Sequence, residues 1–344
     1  MTADNPSHAS SGRREPAGSD DNVCPPAPES ASPAEADLTH LHPAIRQLAL
    51  TDDAIRLQAI RAKRWITHHP ASRVLASLQE VMEQPAGDRM ENLLLIGESG
   101  MGKTMLLRKF QRDHAAAFDT ASGVQPYPVV LTLMPETPSE EAFFCQILKA
   151  VGAPLDLSRR RNLLSLRETT FRLLRELGIR MLMIDEINSI LVGSARQQRQ
   201  FLQLLRFLSN ELQVAIVCAG VPEARFALLS DPQLRSRVAE VALEPWTVGP
   251  ALQDFINKLV QSLPLRQPSP VDSLALRRLL VARSGGITLS ICQAIERAGV
   301  LAIHHRRERI DLAGLDSEEI WRGIRPAPDG TGRLRPAALA RQQL

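Results

Sequence analysis

Residues 97 to 104 read Gly97-Glu98-Ser99-Gly100-Met101-Gly102-Lys103-Thr104, set between an apolar run, Leu93-Leu94-Leu95-Ile96, and an amphipathic stretch from Met105 to Phe110. A buried strand that delivers the chain to a glycine turn lets successive backbone N–H groups face a phosphate chain. The helix that follows points its partial positive end at the same place. The spacing G-x-x-x-x-G-K-[ST] then gives Lys103 reach to the β- and γ-phosphates and sets the Thr104 hydroxyl where it can ligate Mg²⁺. The expectation is a nucleoside triphosphate site whose cradle runs from Gly97 to Met105.

A second group of residues supplies the chemistry that a phosphate cradle lacks. Ile179-Arg180-Met181-Leu182-Met183-Ile184-Asp185-Glu186 is a near-continuous apolar run ending in two carboxylates, the pattern of a central parallel strand with acids at its C-terminal edge. Alone, a strand ending in Asp-Glu is an ordinary strand cap. Downstream of a phosphate loop it reads as a Walker B motif, with Asp185 in the Mg²⁺ shell and Glu186 polarising a water for in-line attack on the γ-phosphorus. Hydrolysis of ATP, rather than binding alone, is the chemistry implied.

These groups need a scaffold, and the rest of the chain reads as one. Within 344 residues, 44% are apolar and only 4% aromatic, so an aliphatic core of two or three domains is expected. The net charge is a slight +3, but most of the 41 basic residues are Arg, which suits bidentate phosphate contacts. Cys24, Cys145, Cys218 and Cys292 lie far apart, with no C-x-x-C pair to suggest zinc or a disulfide framework. There is no signal peptide and no apolar run long enough to span a bilayer, so a cytoplasmic protein without a membrane partner is expected.

Residues 1–38 are rich in Pro, Ser, Ala and acids and poor in large aliphatics, the composition of a disordered extension. Between His42 and Glu83 apolar positions recur at helical spacing and break at Pro70, predicting two helices ahead of the nucleotide strand. Trp65 and Ile66 fall in this stretch, where they could pack near an adenine ring. Strands are predicted at Tyr127–Met134, at the Walker B run, at Val214–Ala219 and at Ala239–Leu243. Helices between them cover Ser139–Val151, Ser165–Leu177 and Gln198–Leu212. That alternation is a doubly wound parallel α/β sheet. Beyond Pro250 the strand signals fade, and helices are predicted at 254–263, 271–284, 288–304 and 316–323. The expected division is an α/β nucleotide domain with N-terminal helices over 39–248, an all-helical lid over 249–323 and a flexible tail over 324–344.

An α/β P-loop NTPase core followed by a helical lid is the plan of AAA+ ATPases, and the flanks resemble one branch. The stretch from His69-Pro70 through Arg89 to Thr104, the Met183-Ile184-Asp185-Glu186-Ile187-Asn188 box, and Leu234-Arg235-Ser236-Arg237-Val238 with Trp246 downstream resemble the TniB family over about residues 40 to 320. These are ATP-dependent regulators of DNA transposition related to TnsC. The resemblance implies an arginine that reaches the γ-phosphate of a neighbouring subunit, with Arg237 the best match and Arg235 second. It also implies assembly as a ring or helical filament on double-stranded DNA, with a transposase and a target-selection protein as partners.

Two departures stand out. Strand 214–219 ends in Cys218-Ala219-Gly220-Val221, where many relatives place an Asn, Ser or Thr that senses the γ-phosphate. Leu289 in the Ser284-Gly-Gly-Ile-Thr-Leu289 box stands where a second sensor arginine would be. Slow hydrolysis is therefore expected, with nucleotide acting as a switch between assembly states. Candidate DNA contacts are Arg159, Arg160 and Arg161, then Arg196 and Arg199, with His304-His305-Arg306-Arg307 as a further basic element. Such clusters give affinity without sequence choice, although charge runs are usually plain solvated surface. A nucleotide-switched scaffold ATPase acting on a protein, or a helicase-loader-type ATPase, fits the same core.

Overall fold

The structure, a computed structural model, describes residues 37–87, 89–117, 125–153 and 162–324. The expected N-terminal extension up to residue 36, the tail from residue 325, Cys24 and the basic run Arg159-Arg160-Arg161 lie outside the described residues.

Five parallel strands, β1 Asn92–Gly97, β2 Val129–Leu133, β3 Met181–Asp185, β4 Ala215–Gly220 and β5 Val238–Leu243, form one sheet in the order β2-β3-β4-β1-β5. Strands β1, β3 and β4 are buried along their whole length. Their unbroken apolar runs follow from helices covering both faces. Alternation along each strand sorts the side chains: Leu93, Leu95, Met181, Met183, Val217 and Ala219 enter one core, and Leu94, Ile96, Leu182, Ile184, Ile216 and Cys218 enter the other. Strand β2 is shorter than expected, because Tyr127 and Pro128 precede it. The Pro128 carbonyl instead accepts from the Arg180 and Met181 amides.

Ahead of the sheet run three helices rather than two: α1 Pro43–Ala49, α2 Asp53–Arg61 and α3 His69–Glu83. Pro70 does not break a helix but opens one, because in the first turn its missing N–H has no carbonyl to serve. Trp65 and Ile66 lie in the irregular connector 62–68, packed on the core without being helical.

Helix α4 Lys103–Asp113 follows the phosphate loop, and α5 Glu140–Ala150, α6 Leu163–Glu176 and α7 Ala195–Leu212 follow in turn. Each of the last three starts on a side-chain cap: Ser139, Asn162, and Ser194 with Gln197 as a reciprocal capping box. Two short helices, α8 Ala224–Leu228 and α9 Pro232–Arg235, lead into β5.

Beyond β5 lie α10 Pro250–Gln261, α11 Leu274–Ser284, α12 Thr288–His304, α13 Leu312–Leu315 and α14 Glu318–Trp321. The helix expected over 316–323 is the shorter α14, opened by the Ser317 cap, and an unexpected one-turn helix, α13, precedes it on an Asp311 cap. Helices α1 and α2, expected with the nucleotide domain, are tied instead to these C-terminal helices. Arg56, fully buried on α2, donates to the Pro264 carbonyl and pairs with Glu308, while Arg64 donates to the Ser262 carbonyl at 3.1 Å. The absence of a side chain at Gly299 on α12 lets Ile60 Cδ1 come within 3.5 Å of where a Cβ would sit.

Candidate functional site

The phosphate loop sits at the C-terminal end of β1, with β4 on one side and β5 on the other. In open α/β sheets this edge, where strand order reverses, is where ligands bind. Gly97 touches β5 closely enough that a Cβ would stand 2.9 Å from the Leu243 carbonyl oxygen. Gly100 and Gly102 have φ values of +82° and +96°, the left-handed conformation that glycine adopts without strain. Glu98 is half-buried, Ser99 and Met105 are exposed, and Met101 is buried under the loop.

Lys103 is 8% exposed and folds back on the loop, its Nζ donating to the carbonyls of Gly97 (2.7 Å) and Glu98 (3.1 Å). Burial pulls its pKa down from the ordinary lysine value, and the carboxylates of Glu186, Asp185 and Glu98 oppose that pull. Thr104 Oγ1 donates to Asp185 Oδ2 at 2.7 Å, and the Glu186 amide donates to Asp185 Oδ1 at 3.0 Å. The Walker A and Walker B residues, 81 positions apart in sequence, are thus brought into direct contact. A hydroxyl beside a buried carboxylate is the sparse oxygen set that Mg²⁺ takes when phosphates and waters complete its shell. The residues present fit that ion.

Glu186 is exposed and holds φ +56° and ψ +39°, a strained conformation for a non-glycine residue. It starts a 3-10 turn, Ile187–Val192, that carries the chain over the end of β4. Gly220 ends β4 there. A Cβ on Gly220 would stand 2.7 Å from Ile187 Cγ2 and 3.3 Å from Asn188 Oδ1. The Asn188 Oδ1 is buried, and no described residue donates to it. Sequence reasoning named Asn188 only as the last residue of the box that resembles the family and gave it no role, because its position beside Gly220 arises only once β3 and β4 lie side by side. Cys218, also on β4, has its thiol pushed up to about 12 by complete burial, which leaves it unreactive.

The C-terminal helices meet the loop directly. The Leu289 amide donates to the Gly100 carbonyl at 2.9 Å, and Ile287 and Leu289 crowd the Cα of Gly100. The Trp246 indole donates to Thr288 Oγ1 at 2.9 Å, and the Trp246 amide to the Gly286 carbonyl at 2.8 Å. Leu289 therefore contacts the phosphate loop through its backbone while its side chain remains 52% exposed. The Trp246 and Phe255 rings stack on each other at 4.9 Å between centroids, and His68 stands edge-on to both at 5.1 and 5.2 Å.

The two candidate finger arginines lie at the other edge of the sheet. The Asn92 amide donates to the Arg237 carbonyl, so this segment sits at the N-terminal end of β1, the length of a strand (about 17 Å) from the phosphate loop. Arg237 donates to Asn210 Oδ1 at 2.9 Å, whereas the Arg235 side chain is exposed, with no hydrogen bond or ion pair to another described residue. Arg196 and Arg199 are exposed on the first turns of α7, close in sequence to the Walker B turn. Among the described residues no helix is long and apolar enough to cross a membrane.

A parallel α/β sheet with a phosphate loop, a Walker B strand and C-terminal helices docked on the loop defines an AAA+ P-loop ATPase. Solved structures agree on the fold: the Aeropyrum pernix ORC1 protein in complex with DNA is 23% identical at a TM-score of 0.52, over 75% of this chain and 67% of that one. The Aeropyrum pernix ORC2 protein is 16% identical at a TM-score of 0.51, over 78% of this chain and 71% of that one. Within that class the chain belongs to the TniB family, described as bacterial TniB protein, which matches residues 56–248. No curated protein matches it.

Proposed function

We propose that this protein binds ATP with Mg²⁺, assembles on double-stranded DNA without reading its sequence, and in that state recruits or activates a transposase, with a target-selection protein as a further partner. The observation that supports this reading best is an asymmetry. The groups that hold and cleave a triphosphate lie at one edge of the sheet, and the unpaired Arg235 lies at the opposite edge. An arginine placed so far from its own phosphate loop serves the site of a second copy, so hydrolysis waits on assembly. Arg237, engaged by Asn210, is the weaker candidate.

In this reading Lys103 leaves its loop carbonyls to neutralise the β- and γ-phosphates, Thr104 and Asp185 hold Mg²⁺, and Glu186 takes the proton of the attacking water. Mg²⁺, when bound, supplies charge neutralisation on the phosphate oxygens. In this reading the division between nucleotide domain and lid falls near residue 249, with α1 and α2 grouped with the lid for their hydrogen bonds to it. Arg196 and Arg199, with the run His304-His305-Arg306-Arg307, are the described candidates for contact with DNA phosphates.

The test is a gel shift on random-sequence duplex DNA, with and without a nonhydrolysable ATP analogue. Binding is expected to require the analogue, to ignore sequence and to weaken steeply with salt, since phosphate contacts release counterions. Replacing both Arg196 and Arg199 by Ala is expected to weaken binding uniformly across sequences. Absence of duplex binding under every nucleotide condition would overturn the DNA reading in favour of a switch acting on a protein. Binding confined to single strands would favour a helicase-loader role.

A further inference from the structure

Strand β4 cannot carry a polar side chain at its last residue. Gly220 pairs with Ile96, one residue before the phosphate loop begins, and any Cβ there would collide with Ile187 Cγ2 at 2.7 Å. The space is closed by the 3-10 turn that follows Glu186, and that turn brings in a polar group of its own. Asn188 lies two residues after Glu186, and its Oδ1 is buried beside Gly220 with no donor among the described residues. A buried amide oxygen left without a donor costs stability, and native proteins tolerate one chiefly where a ligand or water completes it during function. Ile187, which shares this space, is apolar and buried, and both carboxylate oxygens of Asp185 in the same strand-end cluster already accept hydrogen bonds. No described residue completes that oxygen, which leaves the position open to a bound water.

We propose that Asn188 is a further catalytic residue, whose amide oxygen accepts a hydrogen bond from the attacking water while Glu186 takes that water's other proton. The proposal rests on the ATP-hydrolysis reading above. A water held through both hydrogens by two acceptors directs a lone pair at the γ-phosphorus. The new bond forms from the water oxygen to that phosphorus, and the bond from the γ-phosphorus to the β–γ bridging oxygen breaks. One water proton passes to the Glu186 carboxylate, and the products are ADP and phosphate. On this arrangement the strand-end position that is glycine in β4 has been replaced by a side chain from the continuation of β3. That position is polar in function although Gly220 itself carries nothing.

The experiment compares wild type, Lys103→Ala, Glu186→Gln, Asn188→Ala and Asn188→Asp in steady-state ATPase assays, alongside ATP affinity and thermal melting. Asn188→Ala is expected to bind ATP as wild type does, melt no lower, and lose on the order of 100-fold in kcat with KM little changed. Asn188→Asp, which keeps an acceptor in the same place, is expected to recover part of that loss. A kcat for Asn188→Ala equal to that of wild type, with Glu186→Gln inactive, overturns the assignment of Asn188 and leaves the hydrolysis reading intact. Loss of ATP affinity and melting temperature together in both Asn188 variants overturns it in favour of a structural role. If wild type does not hydrolyse ATP, or Glu186→Gln hydrolyses it at the wild-type rate, the hydrolysis reading itself fails.

Discussion

Asp185 has one carboxylate oxygen on the Thr104 hydroxyl and the other on the Glu186 amide, so it is fixed before any ion arrives. That prepositioning is what local sequence could foretell, because the phosphate loop and the Walker B strand each carry their chemistry in eight consecutive residues. His68 is the opposite case. Nothing in its neighbourhood in the sequence marks it, yet its Nδ1 accepts the Ala71 amide at the start of α3 while its ring packs edge-on against the stacked pair Trp246 and Phe255. Burial, reinforced by Lys258 and opposed by Asp254, lowers its pKa from 6.5 to about 4. A histidine neutral in the fold contributes stability above its unfolded pKa and loses it as pH falls through the folded one. Wild-type melting temperature is therefore expected to drop between pH 6.5 and about 4, because over that window the unfolded chain takes up a proton that the buried ring does not. His68→Asn, which keeps a capping acceptor without the titration, should flatten that part of the curve. Parallel melting curves for the two proteins over this range would remove His68 from the pH response.

Among the elements, the strands were the most legible, since burial on both faces leaves an unbroken apolar run that no other element of that length requires. The N-terminal helices were less so. Trp65 and Ile66 kept helical spacing through a connector that is not helical, because packing needs only that an apolar side chain face the core. Pro70 read as a break where it is a start. What no periodicity could reveal is which body α2 joins, a matter settled by Arg56 and its distant partners Pro264 and Glu308. Arg56 is fully buried and Glu308 is nearly so, and a charge stripped of its partner in such a place is costly. Arg56→Ala is expected to destabilise the protein by about 3–5 kcal/mol, read as a fall in the urea midpoint at an unchanged slope. Replacing Arg56 and Glu308 together by apolar residues should restore much of it. A double variant as unstable as the single would show that the loss comes from packing around the Arg56 stem instead.

At the scale of the whole molecule, Arg235 stands the length of a strand from its own phosphate loop, the separation expected if it serves a neighbouring copy as proposed above. Sequence resemblance placed an arginine here but ranked Arg237 first. Only the structure shows the Arg237 guanidinium bonded to Asn210, with Arg235 exposed and unpaired beside it. If Arg235 completes the site of a neighbour, then Arg235→Ala and Glu186→Gln should each be nearly inactive alone, for opposite reasons. The first keeps an intact catalytic edge but cannot supply the arginine, and the second supplies the arginine but lacks the water-activating carboxylate. Mixing the two creates interfaces in which the wild-type edge of one copy meets the wild-type edge of the other. At equal amounts and random assembly, roughly a quarter of the interfaces carry both groups, so ATPase activity should recover to about that fraction of wild type. The same mixture made with Arg237→Ala is expected to show no such complementation, because loss of the Asn210 bond weakens the segment without removing the transferred charge. Recovery with Arg237→Ala but not with Arg235→Ala would reverse the assignment. Recovery with neither, under conditions where both variants assemble, would mean that each copy hydrolyses ATP with its own residues alone.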